Sequence, residues 1–164
     1  MRRAGRIVVD ARVHAEEIAR FESHIVRGPG ENDCAIWKAA LGADGYGRFH
    51  LNRSGLSLYV RPHRYALAVA HGALEDGDLG LHECDNIVCV KVAAEGEPAH
   101  VIAGSQRDNM ARMVRMRRGG RRVYRGDGRG ARRERSVALR EAVRHGWDPV
   151  AVEAALLGDH PTLW

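Results

Sequence analysis

The stretch His82-Glu83-Cys84-Asp85-Asn86-Ile87-Val88-Cys89, followed by His100 and then Asn109, decides how this chain is read. Cys84 and Cys89, with a histidine downstream, offer three soft ligands to one metal ion. Cys34 is the remaining thiol that could complete a tetrahedron. The competing explanation is that the thiols are small buried hydrophobes, since free cysteine is among the most buried residue types. With His100 and Cys34 both available, a structural zinc site of Cys34, Cys84, Cys89 and His100 is the expectation. It would tie the front of the chain to its middle. His82 stands two residues before Cys84 and lacks equal reach into such a site. A histidine of this kind is either a satisfied structural residue or a base.

Outward from that segment, the elements follow from periodicity and turn chemistry. Residues 10 to 27 carry Ile18, Phe21 and Ile25 at helical spacing and predict a helix closed by the turn residues Arg27 to Asp33. Cys34 to Trp37, Tyr46 to Leu51 and Leu56 to Val60 predict three strands of an antiparallel meander. His63 to His71 predicts a helix ended by Gly72. His100 to Ala103 predicts a strand, and Ser105 is a candidate N-cap for a helix running to about Met116. Gly119 to Gly130 alternates Gly and Arg without apolar periodicity and reads as a flexible arm. Ser136 to His145 and Pro149 to Leu157 predict two closing helices. They look like the first two helices of a helix-turn-helix. A third would have to begin near His160 and Pro161, so the pair is expected to pack on the body.

Charge is divided unevenly. Residues 112 to 144 hold thirteen Arg against Asp127, Glu134 and Glu141, a net of +10 within a chain whose formal charge is +5. Genome base composition explains the preference for Arg over Lys, but not the clustering. Such a tract attracts a polyanion through counterion release, and nucleic acid is the expected partner. No segment reaches the ~18 consecutive apolar residues of a membrane span. The sequence after Met1-Arg2-Arg3 is not a signal peptide's apolar stretch, so an intracellular, cytoplasmic protein without membrane association is expected. Three cysteines in that setting favour metal or free thiols over disulfides.

His82-x-Cys84, then Cys89, a His, and an Asn nine positions after it resembles the His-Cys box of homing endonucleases, a branch of the HNH (ββα-metal) superfamily. The front half is similar to small phage and bacterial HNH proteins, in Cys34-Ala35-Ile36-Trp37, Gly45-Tyr46-Gly47 and His63-Arg64. Asp108-Asn109-Met110 matches the same group. The similarity spans residues 20 to 116. It implies His82 as general base, Asn109 as ligand of a catalytic Mg²⁺ or Mn²⁺, and Cys34, Cys84, Cys89 and His100 as zinc ligands. Leu81 stands where many HNH enzymes carry an Asp as second metal ligand, and the loop between Cys89 and His100 is longer than the usual pattern.

The chemistry is coherent with that implication. Phosphodiester hydrolysis needs a deprotonated water, which a neutral imidazole supplies, and a hard cation to stabilise phosphate and leaving oxygen. Arg64 or Arg61 could bond the scissile phosphate. For Arg61 an ordinary backbone contact or surface ion pair, and for His63 packing or phosphate positioning, are the simpler readings. Lys38, Arg48, His50, Asn52 and Arg53 are candidate groove readers on the meander, against the alternative of a solvated sheet face. Arg117, Arg118, Arg121 and Arg122 are candidate backbone contacts.

The expectation is therefore an α+β fold. An antiparallel β meander and a ββα-metal motif with one structural zinc occupy residues 1–116, a basic arm 117–135 and C-terminal helices 136–164. The expected activity is cleavage of double-stranded DNA to 5′-phosphate and 3′-hydroxyl ends, in a restriction or homing role. Symmetric cutting would require a homodimer. The alternative is a non-catalytic, zinc-stabilised DNA-binding module.

Overall fold

A computed structural model of the chain describes residues 5–93, 97–98, 100–115 and 128–158. It is a mixed α and β structure with small antiparallel sheets and five helices. The elements are β1 (Ile7–Val8), α1 (Ala15–Ser23), β2 (Ile25–Arg27), β3 (Ala35–Trp37), β4 (Phe49–Arg53), β5 (Leu56–Val60) and α2 (Pro62–His71). They continue with β6 (Ala73–Leu74), β7 (Leu79–His82), β8 (Val101–Gly104), α3 (Gln106–Arg115), α4 (Arg129–Ala142) and α5 (Pro149–Leu157).

Several expectations need correction. The first helix is shorter than 10–27. Asp10 Oδ1 accepts the backbone N–H groups of Arg12 and Val13, a local turn that competes with helix, and α1 begins only at Ala15. At the other end, Ile25–Arg27 leaves the helix to pair with Ala35–Trp37. That pairing also overturns the meander. β3 takes β2 as its partner, and β4 and β5 form a separate hairpin. The hairpin turns at Ser54 and Gly55, both at positive φ.

The core is organised by four aromatic rings. Phe21 of α1 meets Trp37, Phe49 and Tyr65 with centroids 4.7–5.6 Å apart. Arg61 is the extended residue before α2, Pro62 starts the helix, and Gly72 ends it in the left-handed region. Gly45-Tyr46-Gly47 is explained by two close approaches. Gly45 has φ +83° and its Cα faces the α4 backbone at Arg133. A Cβ on Gly47 would lie 2.7 Å from Trp37 and 2.6 Å from Pro62.

The closing helices pack on the body. Leu139, Val143, Val152 and Ala155 all belong to the buried cluster. Asp148 caps α5 by accepting the N–H groups of Val150 and Ala151. The helix expected from Ser136 begins already at Arg129, so the arm's last residues are helical. Residues 116–127, the expected last residue of α3 and the rest of the arm, lie outside the described residues. Among the described residues no helix is long and apolar enough to cross a membrane.

Candidate metal centre and the adjoining site

The four candidate ligands come from three places in the chain. Cys34 immediately precedes β3, Cys84 and Cys89 lie on the turn after β7, and His100 immediately precedes β8. Val88 and Cys89 are buried beside β3, where Trp37 N–H donates to the Val88 carbonyl at 2.9 Å and Val90 N–H donates to that of Ala35 at 2.8 Å. Asn86 Oδ1 accepts from Val88 N–H at 3.1 Å and shapes the turn. These bonds bring the two cysteines beneath Cys34.

The ligand atoms of Cys34, Cys84, Cys89 and His100 lie within 4.8 Å of one another. His100 Nδ1 is 3.6 Å from Cys34 Sγ and 3.7 Å from Cys89 Sγ. A tetrahedron with Zn–S near 2.3 Å and Zn–N near 2.0–2.1 Å has S···N edges of about 3.6 Å. The four side chains are thus close enough to hold a metal ion, and the donor set is that of structural zinc. Hydrogen bonds from Cys34 and Cys89 hold the Cys84 thiol far below its ordinary range. Its contact with Cys84 pushes Cys34 up to about 12. A cation at this centre would favour the thiolate form of each cysteine.

Beside this centre, β7 and β8 form an antiparallel hairpin in which His82 pairs with Val101, and α3 follows directly. Gly104 makes the tight passage possible: a Cβ there would stand 2.6 Å from Leu81 Cδ1 and 3.4 Å from Asp108 Cβ. Asp108 Oδ2 accepts from Ser105 N–H at 2.8 Å and from the Ser105 hydroxyl at 2.7 Å, fixing the helix start. Asn109 is half-buried on α3, and among the described residues its side-chain amide makes no hydrogen bond. Leu81 is buried and directed at Gly104.

His82 is buried and, among the described residues, neither ring nitrogen has a hydrogen-bond partner of ordinary geometry, although the Cys84 thiol is close by. Its ring is held by packing. His63 of α2 stands edge-on against it with centroids 4.5 Å apart. His63 reaches that position because Gly80 has no side chain; a Cβ there would be 2.4 Å from His63 Cδ2. Burial, reinforced by His82, Arg61 and Arg64, holds His63 well below the ordinary 6.5, so this ring is neutral.

The other candidates divide by what already occupies them. Arg53 is committed inside the fold: it pairs with Glu17 and donates to the Val8 carbonyl. Burial opposes ionisation of Glu17, but bonds from Arg53 and Tyr65 outweigh it and lower its pKa. Arg48 and Arg61 share the Asp44 carboxylate at 2.9 and 3.2 Å, and Arg61 also lies 3.9 Å from the Tyr46 ring centre. His50 bonds Ser57 across the β4–β5 hairpin at 2.7 Å, Asn52 is exposed on it, and Lys38 is half-buried. Arg64 is half-buried on α2. Arg117, Arg118, Arg121 and Arg122 lie outside the described residues.

Arg112 was not foreseen. It joins α3 to the end of β7, and its spacing of three from Asn109 already placed it on the same helix face.

Over 82 residues the chain is 30% identical to Protein 7.7 of Escherichia phage T7. That stretch is 50% of this chain and 55% of the phage protein, so the chain spans about half the length of this curated relative. No family model and no solved structure matches.

Proposed function

We propose that this protein is a metal-dependent DNA endonuclease built on a ββα-metal motif formed by β7, β8 and α3. The observation that carries the reading is His82: a buried imidazole with two unpartnered nitrogens at the end of β7, on the hairpin that leads into the helix bearing Asn109. A buried polar group without a partner costs stability, and such groups persist where a reaction uses them. His82 is the general base that takes a proton from the attacking water. Zinc in the Cys34, Cys84, Cys89 and His100 site is structural.

Asn109 fits the second metal, Mg²⁺ or Mn²⁺. Its amide oxygen is uncommitted, whereas Asp108 is used at the helix cap and Glu83 and Asp85 on Arg112. Bound there, a hard cation retains most of its waters and stabilises charge on the phosphate and the leaving oxygen. Arg64, beside His63 on α2, would add positive charge near the phosphate, whereas Arg61 is engaged by Asp44 and the Tyr46 ring. Double-stranded DNA as partner is supported by the arginine density of residues 112–144. A homodimer cutting both strands fits the restriction or homing role.

The test is incubation of the protein with mixed plasmid and phage DNA in Mg²⁺ and in EDTA. Discrete fragments in Mg²⁺ alone are expected, and His82→Ala should slow cleavage by roughly a hundredfold or more with DNA affinity nearly intact. Leu81, buried where a second metal ligand could stand, favours one other reading, a zinc-stabilised binding module. Intact DNA under every divalent ion, with binding retained, would establish that module instead.

A further inference from the structure

Helix α3 presents a physical problem. None of its described residues is buried, and Met110 and Val114, which a helix of this kind would normally turn inward, are 52% and 68% exposed. Apolar packing ordinarily supplies most of the stability of a ten-residue helix, which is marginal alone in water. Something else holds α3 against the hairpin.

The half-buried stripe of α3 is Asn109, Arg112 and Met113, the spacing of one helix face. On that stripe the Arg112 side chain is only 12% exposed, and its guanidinium meets three acceptors from one short segment. It donates to the backbone carbonyl of His82, to Glu83 Oε1 at 3.2 Å and to Asp85 Oδ1 at 2.7 Å. Asp85 adopts φ +57°, the left-handed region, in the turn that carries its carboxylate to Arg112. Arg115, one turn on, adds a bond to Glu83 Oε2 at 3.1 Å.

We infer that Arg112 is the positioning residue of the site, a charged latch that fixes α3, and with it Asn109, against the end of β7 that carries His82. The geometry suits Arg alone. A planar fork with five N–H groups satisfies a carbonyl and two carboxylates at once, which one ammonium cannot do in fixed directions. The latch anchors the His82 backbone and not its ring, so it sets the separation of the two halves of the site without entering the chemistry. For the catalytic consequence this rests on the endonuclease reading above; the latch itself does not.

The test uses full-length zinc-loaded protein and two variants, Arg112→Met and Arg112→Lys, with hydrogen exchange of backbone amides and cleavage at varied Mn²⁺ as separate readouts. In Arg112→Met, exchange across Gln106–Arg115 should accelerate at least tenfold while β7, β8 and the zinc content stay as in the parent. Half-saturating Mn²⁺ should rise at least tenfold with the plateau rate changed much less, because the cation's ligand is displaced while the base remains. Arg112→Lys should recover part of both. Unchanged exchange over α3 in Arg112→Met overturns the latch, whatever happens to cleavage. Loss of zinc and of protection throughout the protein in both variants also overturns it, because Arg112 would then support the whole fold. A parent protein that never cleaves DNA defeats the endonuclease reading, and the exchange data still decide the latch.

Discussion

The Cys34–Cys84–Cys89–His100 cluster and the β7–β8–α3 unit share one short segment and differ in how completely their polar groups are used. In the cluster the four ligand atoms lie within 4.8 Å of one another, with His100 Nδ1 at 3.6 and 3.7 Å from two sulfurs. A few residues away, among the described residues, His82 has two buried nitrogens without a hydrogen bond of ordinary geometry, Asn109 an uncommitted amide, and α3 no buried residue. The first arrangement suits an ion that never leaves. The second leaves polar groups unused, as the proposed catalytic site would require.

The largest effect should come from breaking the closed half. Structural zinc contributes about 10–16 kcal/mol in small metal-dependent folds, as much as or more than the whole stability of a typical domain of about 5–15 kcal/mol. Cys89→Ser, or a strong chelator, should therefore leave the protein unfolded or aggregated, checked by thermal melting and by elemental analysis expected to give one zinc per chain. A metal-free protein with an unchanged melting temperature would remove the contrast altogether.

A smaller effect lies at the boundary between the two regions. His63 is neutral in the folded protein well below pH 6.5, whereas in the unfolded chain it takes up a proton near that value. The unfolded state thus binds more protons as pH falls through 6.5, and stability falls with it; above about pH 7.5 this contribution is flat. Each pH unit below 6.5 should cost up to about 1.4 kcal/mol until His63 itself is protonated. Urea unfolding of the parent and of His63→Phe at pH 5.5 and 7.5 isolates it. The parent should lose about 1 kcal/mol more than the variant, and equal losses would mean that the buried ring does not matter to acid stability.

The smallest effect sharpens the open half. Because, among the described residues, the His82 nitrogens have only the nearby Cys84 thiol and no hydrogen bond of ordinary geometry, an apolar residue of similar volume should lose little stability. His82→Leu is expected to be neutral or more stable by about 1 kcal/mol in urea unfolding at pH 7.5, while cleavage is lost. A loss of 2 kcal/mol or more would show that His82 holds the hairpin together and is not reserved for chemistry.

Much of this was readable from residue order. The ligand set followed from chemistry and count: three thiols and a histidine, with no other cysteine to choose. α2 was announced by Pro62 and Gly72, and β8 and α3 by His100 to Ala103 and Ser105. Strand partners were not legible. Ile25–Arg27 reads equally well as the end of a helix, and only its pairing with Ala35–Trp37 settles the matter, because short apolar runs do not specify a partner.

Whether an arginine is free or spent was also hidden. Arg53 reads as a groove contact until Glu17, 36 residues away, is found beneath it, and Arg48 until Asp44 is found beside it, while the surface ion pair that was the simpler reading of Arg61 is its bond to the same Asp44. The sequence by itself determined the strand after Cys34, the strand and helix after His100, and which atoms could bind a metal, since those depend on local periodicity and on ligand type. The tertiary structure alone decided that Gly80 admits His63 to His82, and that Arg112 ties α3 to β7. Both are contacts between distant segments whose cost or gain depends on distances of a few tenths of an ångström.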